Sequence, residues 1–394
     1  MKKFLDLGLQ PLANKYLTKK DLVNKKKEQL YHLEVGFDNK TKLVSILNKV
    51  SSNKMFDNNY PYRSSMSKTM VDSFKRLSKK IIKDYKPKLI LEIGSNDGSL
   101  IQNFNKKKVI CVEPCKNLAK LTSNINYTTY SEYWSSKLAK KITRNKKADL
   151  IYSANTLSHI KNLNEIFRAI NYSLSEKGIL ILEDPSLLKC IKNVAYDQFY
   201  CEHIYVFSTI SLKNILNNFD LEIFDVQNTT THGGSNRYFI KKKINKSLNI
   251  KKSVKTEIKK ELKFGLNKIT TYRVFANKVK KSKIKLLNIF QKIKKKELSV
   301  IGYGATAKSC TILNYCKIGN KFIDYFYDTT SYKINRYLPG SKILIKKYKK
   351  LNKKNIDIVF LGAWNFKDEI FKKEKNFIKK GGKFIIHVPT PKII

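Results

Sequence analysis

Short apolar runs ending in glycine or an acid, separated by stretches of helical spacing, constrain this chain more than any other feature. LILEIG (89–94), VICVEP (109–114), DLIYSAN (149–155) and GILILEDP (178–185) are four such runs, with helical stretches such as NLNEIFRAINYSL between them. Runs of that length read as strands buried on both faces, and strands alternating with helices predict a parallel, doubly wound α/β sheet. The rhythm restarts at LSVIGYG (298–304) and continues through FIDYFYD (322–328), IDIVFLGAW (356–364) and GGKFIIHVP (381–389). A second, smaller α/β unit is expected there. At 394 residues the chain suits several domains. The expected divisions are 1–66, 67–245, 246–297 and 298–394.

Residues 1–75 read as turn-rich and weakly periodic, and SLIQNF, after the first run, as a helix. The 246–297 stretch is lysine-heavy. Its apolar residues recur at three- and four-residue spacing (Ile284, Leu287, Phe290; Leu286, Ile289, Ile293), which predicts a helical linker with a solvated face. The first residues, MKKFLDLGLQPLANKYL, lack the apolar centre of a secretory leader, and no apolar run approaches the length of a membrane span. The six cysteines, Cys111, Cys115, Cys190, Cys201, Cys310 and Cys316, show no CxxC pair or disulfide-framework spacing. A reduced, cytoplasmic protein is the expectation.

The formal net charge is +49, a value that on its own points to nucleic acid. Yet only seven of the eighty basic residues are arginine, and the bidentate fork that reads phosphates and bases belongs to arginine. The lysines travel with Ile and Asn through every region. That reads as compositional drift on solvated faces, and no nucleic-acid partner is expected.

Chemistry gathers first at Glu92-Ile93-Gly94-Ser95-Asn96-Asp97-Gly98, where a strand ends. Glycines there let the backbone turn tightly and approach a ligand, and helix-opening N–H groups attract a polar or anionic one. Glu113 ends the next run, followed by Pro114, where an acid accepts both hydroxyls of a ribose. The form E-x-G-S-N-D-G resembles motif I of class I S-adenosylmethionine-dependent methyltransferases, and Glu113 the ribose-binding acid that follows it. The resemblance implies S-adenosylmethionine bound by Glu92, Gly94, Ser95, Asn96, Asp97, Gly98, Glu113, Pro114 and Asn155.

A narrower resemblance spans residues 4–391. LDLGLQPLAN, YPYRSS, EIGSNDG, VEP, GILILEDP, YDQFYCEHIYVFS, THGGSNRYF, GYGATAK and AWNFKDEI stand in the order seen in C-methyltransferases of nucleotide-linked deoxysugars. It implies a zinc-binding-like N-terminal domain, a Rossmann-like methyltransferase domain, and a C-terminal Rossmann-like domain. One departure stands out. The family's zinc domain carries two cysteine pairs; here the chain begins too late for the first, and Asp38 and Thr41 occupy the spacing of the second. His32 alone supplies too few ligands, since structural zinc takes four thiolate or imidazole donors. Zinc is not expected, nor any other metal.

Tyr200-Cys201-Glu202-His203 lies just beyond the fourth run. Methylating carbon needs a base to remove the proton beside a ketone and a donor to hold the enolate oxygen. Histidine suits the base, Glu202 would orient its ring, and Tyr200 would donate to the oxyanion. The resemblance implies His203 as the base, with Tyr62, His159, Tyr200 and Glu202 lining a sugar site. Cys201 is no nucleophile in this chemistry. In HGGSNR, a loop expected after the sheet, Arg237 is a candidate substrate contact; His387 reads as structural. Gly302-Tyr303-Gly304-Ala305-Thr306-Ala307-Lys308-Ser309 misses the phosphate-binding G-x-x-x-x-G-K-[ST] pattern at Ala307. A Rossmann-like turn beside a sugar nucleotide's diphosphate is expected instead of an NTPase. Asp328, Lys333 and the Pro339-Gly340 turn fit the same C-terminal pattern. The leading expectation is C-methylation of a nucleotide-activated keto-deoxysugar for polysaccharide or glycosylated products. O-methylation of a sugar or other small acceptor on the same scaffold stands behind it, and nucleic-acid methylation last.

Overall fold

The computed structural model describes residues 1–24 and 27–394. The N-terminal segment is not a run of turns. It holds an antiparallel sheet of β1 (Lys2–Pro11), β2 (Leu30–Phe37) and β3 (Val44–Ile46). Register shifts between Lys3 and Leu5 and between Asp6 and Leu9 break the period of two, which hides β1 from a pattern search.

The central sheet comprises β4 (Ile90–Ile93), β5 (Val109–Val112), β6 (Thr128–Tyr130), β7 (Ala148–Ala154), β8 (Leu174–Pro185), β10 (Leu221–Thr229) and β11 (Ser235–Lys242), in the order β10-β11-β8-β7-β4-β5-β6. It is mixed, correcting the all-parallel expectation: β11 runs antiparallel to both β8 and β10. The residues between β10 and β11 are too few for a crossover, so the two strands form a hairpin. The HGGSNR stretch is therefore the turn of that hairpin and the start of β11, not a loop beyond the sheet. Between β8 and β10, the two-residue β9 (Tyr205–Val206) leaves this sheet and pairs with β3, stitching the N-terminal sheet to the central unit.

The expected helix after β4 is only a 3-10 turn, Ile101–Asn103. The Gln102 and Asn103 side-chain amides donate to the Ser99 and Leu100 carbonyls, competing with helical hydrogen bonds. The chain beyond β4 is thereby left free to form loop at the carboxyl edge of the sheet, where open α/β sheets bind ligands.

The third sheet has order β14-β13-β12-β15-β16-β17, built from β12 (Val300–Tyr303), β13 (Tyr325–Asp328), β14 (Leu344–Lys347), β15 (Ile358–Leu361), β16 (Lys383–Ile386) and β17 (Lys392–Ile393). Only β17 is antiparallel. In the lysine-rich stretch, the helix Lys252–Phe264 packs on β10, and the 27-residue helix Ile269–Lys295 runs along β1. That longer helix buries Tyr272, Phe275, Val279, Leu286, Phe290 and Ile293, while Ile284 is 60% exposed, on the face opposite its expected one. Its apolar stripe shares one core with Leu5 and Val35 of the N-terminal sheet and Phe326 and Phe360 of the C-terminal sheet. No helix among the described residues is long and apolar enough to cross a membrane.

Candidate active site

The turn after β4 holds three left-handed residues in five: Gly94 at φ +77°, Asn96 at +50° and Gly98 at +79°. A Cβ at Gly94 would lie 2.1 Å from Thr156 Oγ1, so only glycine lets this loop close on the turn after β7. Glu113 fastens it. Oε2 accepts the Asn96 N–H at 2.9 Å and Oε1 the Cys115 N–H at 2.9 Å. Burial holds its carboxyl above the usual range, and these two amides oppose that rise.

Beside this loop a single cavity is lined by residues of all three sheets' loops, including Glu92, Gly94, Ser95, Asn96, Glu113, Pro114 and Asn155. Asp97 and Gly98 lie behind its wall. Asp97 accepts the Ser65 N–H at 3.0 Å and the Ser99 hydroxyl at 2.5 Å, tying the loop to the chain after Tyr62. At the loop end of the cavity, Glu92 Oε2 and Ser95 Oγ are buried without a hydrogen-bond partner among the described residues. Burial, with Asp97 and Glu113 nearby, lifts the Glu92 carboxyl far above its ordinary range. A buried carboxylate oxygen without a donor suits a cationic ligand. S-adenosylmethionine carries an ammonium and a sulfonium, together with a ribose diol for Glu113. The residues present fit it.

Next to the nucleotide end stands a stack of rings. Phe56 and His159 are parallel with centroids 5.5 Å apart, His159 and His203 follow at 5.1 Å, and Tyr200 covers His203 at 3.9 Å. His203 Nδ1 lies 2.8 Å from the Gln198 carbonyl, which can only accept, so Nδ1 carries the hydrogen. Nε2 therefore offers a lone pair, and it accepts the Tyr200 hydroxyl at 2.5 Å. Burial, with His159 and Lys308 nearby, holds His203 well below its ordinary value, and burial alone takes His159 down to about 3. Both rings are neutral at physiological pH. His159 Nε2 is buried without a partner.

Tyr62, His159, Tyr200 and His203 all line the cavity, but Glu202 does not orient the imidazole. Its carboxylate accepts the Asn14 amide at 2.8 and 2.9 Å and the Tyr60 hydroxyl at 2.9 Å. The Gln198 backbone carbonyl does the orienting instead. Burial pushes Glu202 up to about 7, against the pull of Tyr60 and Asn14. Arg237, a candidate substrate contact, is buried in an ion pair with Glu183 at 2.7 Å and does not line the cavity.

Sequence reasoning missed Asn14 and Tyr60, held by Glu202, and His232, which sits at φ +53° with its Nε2 unpartnered. Asn14 ends LDLGLQPLAN and Tyr60 opens YPYRSS, motifs that carried the resemblance without giving either residue a role; His232 stands in HGGSNR, whose pattern drew attention to Arg237. At the other end, Gly304 turns at φ +83°, Ala305 N–H donates to Asp328 Oδ2 at 2.9 Å, and Thr306 caps the helix Ala307–Cys316. Thr306, Ala307, Lys308 and Lys333 thereby reach the cavity. The structure keeps the turn beside a helix start and gives it no phosphate-wrapping glycine at 307.

Residues 62–226 match the methyltransferase domain family and residues 230–389 the C-methyltransferase C-terminal domain family. C-methyltransferase NovU of Streptomyces niveus is 27% identical over 396 residues, covering 99% of this chain and 93% of that protein. Among solved structures, an S-adenosylmethionine-dependent methyltransferase from Clostridium acetobutylicum ATCC 824 aligns with TM-score 0.34 and 14% identity, over 43% of this chain and 91% of that one. The O-methyltransferase from a trans-AT PKS multienzyme of Brevibacillus brevis, in complex with S-adenosyl-L-homocysteine, aligns with TM-score 0.35 and 14% identity, over 52% of this chain and 82% of that one. Two consecutive family matches and a relative matched nearly end to end agree on one assignment: the chain belongs to the S-adenosylmethionine-dependent methyltransferases that carry a C-methyltransferase C-terminal domain.

Proposed function

We propose that this enzyme methylates a carbon beside the ketone of a nucleotide-activated keto-deoxysugar, with His203 as the general base. The observation that carries the reading is the His203 tautomer. The Gln198 carbonyl fixes the hydrogen on Nδ1, so the lone pair of Nε2 is directed into the cavity side occupied by Tyr200. Bound S-adenosylmethionine supplies a methyl group on a positively charged sulfur, so the demanding half of the reaction is making carbon nucleophilic.

The chain's residues meet that demand in sequence. Tyr200 has one O–H to donate and gives it to His203 in this structure. A ketone oxygen within its reach competes for that hydrogen, and donation to the ketone frees Nε2 for the proton on the adjacent carbon. As the C–H bond breaks, its electron pair passes to the ketone oxygen, held by Tyr200, and the proton stays on Nε2. When the C=O re-forms, that pair returns through the enolate to the carbon and makes the bond to the methyl group, while the C–S bond electrons would remain on sulfur. Burial keeps Tyr200 protonated, because it raises the phenol well above its ordinary value.

Lys308 supplies positive charge to the far wall, beside a Lys333 that is ion-paired with Asp328 at 3.3 Å, which suits a diphosphate linker, and Tyr62, His159 and His232 offer the sugar aromatic and imidazole contacts. Six buried, unpaired thiols suit the reducing compartment in which nucleotide sugars are processed, and a cytoplasmic location is part of this reading.

His203→Ala should leave donor binding intact and slow methyl transfer by ~10²–10⁴-fold, the usual contribution of a general base. In deuterated water, without donor, wild-type enzyme should exchange the hydrogen beside the ketone and the variant should not. A product methylated on oxygen, read by carbon NMR, overturns the reading. So does near-normal turnover of His203→Ala.

A further inference from the structure

Asp197 belongs to the short turn Tyr196–Gln198 of the methyltransferase region and is wholly buried. Its Oδ2 accepts the Trp364 indole N–H at 2.6 Å and the His387 Nε2–H at 2.9 Å. Both donors belong to the C-terminal sheet, Trp364 just after β15 and His387 just after β16, while Lys308 follows β12 and adds its charge. β12, β15 and β16 are adjacent parallel strands. Three residues from one carboxyl edge of one sheet thus converge on Asp197. That edge is where open α/β sheets bind their ligands. Here it binds a carboxylate of the same chain. Burial would raise the Asp197 carboxyl, but His387, Lys308 and Trp364 more than reverse this, so the group is held as an anion.

The residue after Asp197 touches the reacting centre twice. The Gln198 carbonyl accepts His203 Nδ1–H, and the Gln198 side-chain amide donates to the His232 carbonyl at 2.8 Å. Lys308 Nζ donates to that same carbonyl at 3.2 Å. The Trp364 ring also closes on the His232 loop, where a Cβ on Gly233 would come within 2.4 Å of it. The turn carrying Asp197 and Gln198 is therefore fastened by the C-terminal sheet on one side and holds the imidazole on the other.

We propose that the C-terminal sheet grips Asp197 to position His203, making Asp197 and Trp364 positioning residues that keep the hydrogen of His203 on Nδ1. The catalytic consequence rests on His203 being the base; the link between the Asp197 grip and the tautomer does not. The sheet's ligand-binding edge thus serves the methyltransferase site from behind.

The test uses the full chain labelled with ¹⁵N-histidine, in which two-bond ¹H–¹⁵N correlations report the tautomer of each ring, His203 being assigned by its loss in His203→Ala. Wild-type His203 should show the single Nδ1–H form. In Asp197→Asn it should become a mixture of tautomers, with kcat lowered roughly tenfold to a hundredfold, as expected of a displaced reacting group. KM and affinity for S-adenosylmethionine should change little. Trp364→Phe, which keeps ring bulk and leaves Asp197 charged, should move both readouts in the same direction by less, and it decides the matter if Asp197→Asn does not fold. An unchanged His203 spectrum in a folded variant overturns the proposal. A shifted spectrum with unchanged turnover supports the positioning link and removes His203 as the base.

Discussion

Glu113 shapes the loop after β4 and has acceptor capacity to spare. Each oxygen accepts one backbone N–H, from Asn96 and from Cys115, and each keeps a second lone pair. The first pair of bonds shapes the loop; the remaining lone pairs are available to a ribose diol. A charge-assisted hydrogen bond contributes about 1.5–3 kcal/mol, so Glu113→Ala should weaken S-adenosylmethionine binding by roughly tenfold to a hundredfold by calorimetry. An unchanged affinity would remove Glu113 from the cofactor site. Its place at the end of the strand after the glycine loop was legible in the sequence. The holder of His203 was not. Glu202 looked like the orienting group because it is adjacent and acidic, yet a backbone carbonyl orients the ring, and every residue type offers one. Asn14 and Tyr60 lie inside quoted motifs, but their task was not readable, because Glu202 holds them from 188 and 142 residues away.

Among the elements, the strands of the two α/β units were readable because burial on both faces demands continuous apolar runs. The departures all occur where something other than burial decides. Register shifts disguise β1, side-chain amides replace the helix after β4, and a hairpin reverses β11. The turn between β2 and β3 shows a further substitution of forces. Where the resemblance places the second cysteine pair, Asp38 Oδ1 accepts both the Thr41 N–H at 2.7 Å and the Thr41 hydroxyl at 2.9 Å. These hydrogen bonds, the Thr41 amide foremost, hold the Asp38 carboxyl below its usual range. The turn is closed by these hydrogen bonds. His32 is not alone, for Asp6 and Glu34 lie with it, their ligand atoms within 4.8 Å. Lys3 already supplies a cation there, with Nζ 2.6 Å from Glu34. Purified protein should contain far less than one zinc per chain by elemental analysis. Stoichiometric zinc that survives dialysis against a chelator, and is lost in His32→Ala, would show instead that the Asp6–His32–Glu34 group binds metal.

Across the whole molecule, three sheets close one cavity, and the long helix Ile269–Lys295 packs its apolar stripe into the core that joins the first sheet to the last. Local periodicity separates such units and says nothing of how they meet, so the contribution of the C-terminal sheet to the cavity was only partly legible, as a glycine turn beside Lys308. Most of the chain's lysines are solvated, but Lys308 is 7% exposed. Burial pushes its ammonium down to about 8, with Asp197 and Cys190 pulling the other way. It is charged below that pH and neutral above it. If its charge holds an anionic, diphosphate-bearing substrate, KM should rise as pH passes 8, approaching about tenfold per further unit as the protonated fraction falls. Affinity for S-adenosylmethionine should not follow that limb. Lys308→Met should show the high KM at every pH, whereas Lys308→Arg, always charged, should flatten the limb even if its longer fork raises KM overall. A wild-type KM that stays level between pH 7 and about 9.5, well beyond an ammonium at 8, would detach Lys308 from the substrate and leave it with the Asp197 turn alone.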